Sequence, residues 1–160
     1  MLRLSEGLNR IVLNVVLVLM AVETVIVFSA VFSRYVLNSP FSWSEELARL
    51  MLTWIVFLGL SCAYATDNLV RISLLGDLAG GKVTKAIQLL TDILIIVFSI
   101  VTFWFALRLG SLTARQTMPS LQIPLLWATS AIPVSCVFTV FHAVRFIRFG
   151  HSAHIATVAD

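Results

Sequence analysis

Four stretches of the chain are almost wholly apolar and long enough to cross a lipid bilayer: 11–32, 47–65, 86–107 and 123–147. A transmembrane helix needs about 20 mostly apolar residues, and polar or charged residues bound each of these runs. The first run exceeds the 7–15 residues of a signal-peptide core, and "VFSRYVLNSP" after it supplies no small-residue cleavage site, so it reads as a retained span. Between the second and third runs, "DNLVRISLLGDLAGGKVTK" places Val70, Leu74, Leu75 and Leu78 at helical spacing. Gly80-Gly81 then supplies a stop signal, which predicts a short amphipathic helix lying in the membrane interface. The polar segment "GSLTARQTMPSLQIP", with Pro119 and Pro124, predicts an ordered turn before the fourth span. Pro133 lies inside that span, where its missing N–H and its ring should kink the helix. The expected fold is an all-α integral membrane domain covering 1–160, with four spans, one interfacial helix and no internal repeat.

Composition supports this pattern. The chain is 59% hydrophobic and 12% charged, with a mean hydropathy of +0.99, whereas soluble domains carry about 25% charged residues. The four spans leave no room for a soluble domain. The formal net charge of +3 is scattered among loop ends and gives no footprint for nucleic acid. It does orient the chain. Arg3, Arg10, Arg71, Lys82, Lys85, Arg145 and Arg148 fall on the side that holds both termini; Arg34, Arg49, Arg108 and Arg115 fall on the other. The positive-inside rule places both termini in the cytoplasm. Trp43, Trp104 and Trp127 then lie near the outer ends of their spans, at the depth indole rings favour. Trp54 lies roughly 16 Å deeper than Trp43 at 1.5 Å per residue, and needs a protein neighbour or a functional reason.

Polar groups inside the spans are the candidates for chemistry. Glu23 sits near the midplane, where an ionised carboxylate costs at least about 2.5 kcal/mol. It is either protonated within a helix interface, bonded to hydroxyls such as those of Thr53, Ser99 or Ser130, or it couples protons. Asp92 lies about 9 Å into the third span, within reach of the interface or of Lys85, and reads as structural. His142 is the sole histidine of a span, whereas a bis-histidine haem needs two. Gly59 and Ala63 form a small-xxx-small pair that admits a close helix. Cys62 and Cys136 have no metal or redox spacing and read as packing residues. With no nucleophile elbow, phosphate loop or metal cluster, no enzyme activity, cofactor or metal is expected.

The most informative stretch is "NSPFSWSEELARLML". Ser42-x-x-Glu45 matches a capping box, with Ser44 as an alternative cap. Glu45 and Arg49 are spaced i,i+4, and Glu46 and Arg49 i,i+3. These local rules account for Glu45 and Arg49 and leave Glu46 as spare charge facing a partner protein.

The longer run "RYVLNSPFSWSEELARLMLTWIVFLGLSCAYATDNLVRISLL" resembles the small, DctQ-like membrane subunit of tripartite ATP-independent periplasmic (TRAP) transporters. Arg34, Tyr35, Trp43, Glu45, Glu46, Trp54 and Gly59 carry the likeness, and Pro124, Trp127 and Pro133 in "MPSLQIPLLWATSAIPVS" extend it. Leu69 and Ser73 stand where the family often has His and Asp, so no role is carried onto those loop positions. The resemblance implies an accessory, scaffold subunit in the bacterial inner membrane, working beside a large membrane subunit and a periplasmic substrate-binding protein in sodium-driven import of organic acids. It implies partner-interface roles for Arg34, Trp43, Glu45, Glu46, Arg49, Trp54 and Gly59. Four uninterrupted spans without repeats agree, since alternating-access carriers usually use repeats and broken helices. The other readings are a self-sufficient proton-coupled multidrug carrier using Glu23, and a haem protein, which the histidine count disfavours.

Overall fold

The computed structural model describes residues 2–39, 41–66 and 73–149. They form α1 (Leu2–Tyr35), α2 (Ser42–Ala65), α3 (Ser73–Thr113), α4 (Leu126–Thr129) and α5 (Ala131–Phe149). Four segments are long and apolar enough to cross a membrane: Gly7–Tyr35, Ser42–Ala65, Ala86–Thr113 and Leu126–Arg148. The 29 residues of the first would reach roughly 44 Å at 1.5 Å per residue. That exceeds a hydrocarbon core of about 30 Å, so it must tilt or protrude.

The helices pack in a row. α1 lies against α2, α2 against α5, and α5 against α3, with α4 wedged between α2 and α3 at one end. On α1 from Val12 onward the buried and half-buried positions are Val12, Val16, Leu19, Glu23, Ile26, Ala30 and Ser33. Their alternating four- and three-residue steps make a seam of the coiled-coil kind. Val12 and Val16 meet Leu58 and Cys62 of α2, with Trp54, Ile55 and Phe138 closing the cluster. A second cluster joins α2, α5 and α3 through Tyr64, Ala143 and Phe146, flanked by Ile95 and Ile96. Outside these seams the apolar side chains stand free: Phe28 is 72% exposed, Phe98 69% and Leu112 70%. Such a surface is untenable in water but neutral in lipid, where packing and hydrogen bonds rather than hydrophobic burial hold helices together.

Three expectations about the elements are corrected. Gly80-Gly81 does not end a helix: α3 runs through it from Ser73, and Val70 lies outside the described residues. A glycine inside a helix costs about 1 kcal/mol relative to alanine, a weak signal that a long helix overrides. At its other end α3 continues to Thr113, past the apolar run. Trp104 therefore lies nine residues, about 14 Å, inside the end of α3. The fourth span starts at Leu126 and is broken at Ser130, three residues before Pro133. Pro133 cannot donate to Thr129, whose turn is the one lost. Ser130 itself keeps helical dihedrals (φ −67, ψ −20), so the chain crosses as one span with a local lapse of the kind Pro133 was expected to cause.

Candidate functional site: the ordered loop end

α1 and α3 end, and α2 and α4 begin, at the same end of the row. Two turns, the first through 36–39 and the second through 114–125, close it. In the first, Asn38 takes a left-handed conformation (φ 50), one that asparagine tolerates better than most residues. The buried Ser33 hydroxyl donates to the Ser39 carbonyl and ties the turn to α1. The cap of α2 is Phe41, which makes no side-chain cap bond. The expected Ser42–Glu45 capping box does not form. Instead the Ser44 hydroxyl donates back to the Phe41 carbonyl (2.7 Å), and the Phe41 and Trp43 rings stack at 5.7 Å.

That leaves both glutamates free for other work. Glu45 forms an ion pair with Arg34 at the end of α1, in place of the expected pairing with Arg49 one turn along its own helix. Glu46 reaches the second turn. Its carboxylate accepts the Ser120 N–H (3.1 and 3.0 Å to the two oxygens) and the Leu121 N–H (2.9 Å). Arg49 adds a favourable charge near the same carboxylate. Glu46 therefore has its partner within the chain, 74 residues away, and is not the spare charge the local rules left over.

The turn that Glu46 holds is itself compact. Thr117 and Pro124 form an isolated antiparallel bridge, Leu125 N–H donates to Gln116 (2.8 Å), and Met118 N–H donates to Ile123 (2.9 Å). Met118 is buried beneath it, and Gln122 turns the chain with φ 54. Below it, the Thr113 and Thr129 hydroxyls lie 3.1 Å apart, joining α3 to α4. Trp54 fills the inner side: its indole N–H donates to the Trp127 carbonyl (3.0 Å), which also accepts the Ser130 hydroxyl (2.9 Å). The deep tryptophan thus has the protein neighbour it required. One turn beyond Ser130, the Ser135 hydroxyl bonds the Phe57 carbonyl (2.6 Å) and ties α5 to α2.

The intramembrane groups sit elsewhere. Glu23 is half-buried on the α1 seam facing α2. Two of its expected partners are engaged: Thr53 donates to Arg49 C=O, and Ser130 to Trp127 C=O. Asp92 is 2% exposed and accepts the Tyr64 hydroxyl (2.8 Å) from the last turn of α2. Beside it the buried Arg145 donates to the Ala65 carbonyl (3.3 Å) and lies 4.7 Å over the Phe146 ring. Gly59 has open space where a side chain would go, so none of the described helices makes the close approach its small-residue pattern allows. Cys62 and Cys136 are free thiols, buried in the packing.

Residues 23–149 match the family model described as "Tripartite ATP-independent periplasmic transporters, DctQ component". The chain belongs to the DctQ family. This family is a transporter component, and its region covers every span from the middle of α1 onward. Among its relatives is the sialic acid TRAP transporter small permease protein SiaQ of Vibrio cholerae, 26% identical over 144 residues, which are 90% of this chain and 83% of that protein. The sialic acid TRAP transporter permease protein SiaT of Haemophilus influenzae is 29% identical over 123 residues. There the match is 77% of this chain but only 20% of the relative. The isethionate TRAP transporter permease protein DctMQ of Oleidesulfovibrio alaskensis is 27% identical over 95 residues, 58% of this chain and 15% of that protein. The chain spans about a fifth or less of these two longer relatives. As a DctQ component, it is a multi-pass membrane protein of a transport system.

Proposed function

We propose that this chain is the small accessory subunit of a sodium-driven importer of organic acids in a bacterial inner membrane. A large membrane subunit carries the substrate and moves, a periplasmic binding protein delivers it, and this chain forms a single fixed domain that braces the pair. The near end-to-end correspondence with a small permease protein carries this reading. The longer permease relatives support it, because most of their length lies outside the matched segment. The row of helices supports it too: two broad apolar faces are available, one to lipid and one to a partner. Both termini face the cytoplasm and the loop end faces the periplasm, as the arginine and lysine bias favours.

Within this reading, Arg34, Trp43 and Arg49 meet a partner at the loop end, Gly59 marks the membrane face on which a partner helix seats, and Trp54 acts through its bond to Trp127. Glu45 and Glu46 act through what they hold. Glu46 is a positioning residue for the 114–125 turn. The test is extraction of the chain from its native membrane in mild detergent, followed by identification of what co-migrates. Recovery with a much larger multi-pass protein is expected. Recovery only as copies of itself, with proton-driven drug efflux in liposomes, would point to Glu23 and overturn the proposal.

A further inference from the structure

Where α1 and α2 part at the loop end they leave a groove of about 220 Å³. Its walls are Val27, Ala30 and Val31 of α1 and Ala48 of α2; its rim carries Arg34, Tyr35, Phe41 and Glu45. Val27 is seven residues from Arg34, so the groove descends about 10 Å along the helix from the charged rim. An apolar slot below a charged, aromatic rim repeats the layering of one leaflet: acyl chain beneath, headgroup above.

We infer that this groove seats the headgroup and the upper part of one acyl chain of a single phospholipid whose headgroup carries a phosphate and a primary ammonium. The rim charges select that headgroup. Arg34 pairs with Glu45, but both side chains are more than half exposed, and an exposed ion pair adds little stability. A guanidinium has five N–H donors and a carboxylate about four acceptor positions, so the pair has capacity left over. Phosphate takes free donors of Arg34, and the Tyr35 hydroxyl lies on the same rim. The ammonium donates to the remaining carboxylate oxygen of Glu45. A purely anionic headgroup meets repulsion from Glu45, and a quaternary ammonium has no N–H to give it. The inference depends on the chain spanning a membrane and is independent of its role in transport.

The test is native mass spectrometry of the full chain, extracted from its membrane, washed free of loose lipid and titrated with phosphatidylethanolamine, phosphatidylglycerol or phosphatidylcholine vesicles. One phosphatidylethanolamine per chain should survive activation, retained about tenfold better than the other two, the scale of one charge-assisted contact. Val31→Trp fills the groove from a half-exposed wall position and should abolish that retention; Arg34→Gln should remove the headgroup preference. Ala48→Leu provides a second filling variant should Val31→Trp fail to fold. Equal retention of all three headgroups, or unchanged retention in a folded filling variant, would identify ordinary annular lipid and overturn the inference. A cross-link from position 31 to another protein in place of lipid would overturn it as well.

Discussion

Two adjacent glutamates do different things because consecutive side chains on a helix point about 100° apart. Glu45 turns back to Arg34 and closes the corner between α1 and α2; Glu46 turns across to the backbone of the 114–125 turn. Glu46→Ala should leave the span inserted while releasing that turn. Amide exchange at Ser120 and Leu121 should quicken at least about tenfold, as expected when a local opening no longer breaks a carboxylate bond, and substrate uptake by the assembled transporter should fall more than thermal stability does. Unchanged exchange at those two amides would remove Glu46 from its positioning role. Trp54→Phe keeps the ring and loses the bond to Trp127, and should cost about 1 kcal/mol in a reversible unfolding titration. Sequence reasoning identified Glu46 and Trp54 as residues that needed partners. It did not supply the partners, because each is a backbone group more than 70 positions away, and backbone groups leave no mark in a sequence.

At the scale of elements, the spans were legible because bilayer thickness imposes both a length and a composition on them. Their ends and interruptions were less so. Gly80-Gly81 carries the residue type of a helix stop without the chain leaving the helix, and Pro133 marks a break that lies three residues earlier, where its missing donor is felt. The α1 seam was overlooked because lipid-facing and seam residues are both apolar there, so no polar stripe outlines it. The contact between α3 and α4 offers a graded test. A methyl group on Gly110 would meet the flexible end of Leu126 at 3.3 Å. Gly110→Ala should therefore shift stability by less than about 1 kcal/mol, helped by alanine's helix propensity. Gly110→Phe should push α4 away and loosen the 114–125 turn, read as faster exchange at Met118 and Leu125. Nearer the other end, Tyr64→Phe removes a donor to the buried Asp92 and should destabilise by about 1–3 kcal/mol. A cost near zero would mean that Asp92 does not depend on that hydroxyl.

For the molecule as a whole, a row of helices is an unusual answer to four spans, since a bundle would bury more of each. Lipid removes the penalty: α1 can rest chiefly on α2 because its outer face loses nothing by meeting acyl chains. The row leaves two broad faces for neighbours, which suits a brace better than a carrier that must enclose its cargo. Orientation is checked with single cysteines in a Cys62→Ser, Cys136→Ser background. Cysteine at Gln116 should react with an impermeant maleimide in intact cells, and cysteine at Ser152 only after permeabilisation; the reverse pattern would invert the topology. The most direct test of the accessory role is reconstitution of the large permease subunit and the binding protein in liposomes under an inward sodium gradient, with and without this chain. Uptake should require the chain, and the chain alone should move nothing. Full uptake in its absence, or transport by the chain by itself, would contradict the account.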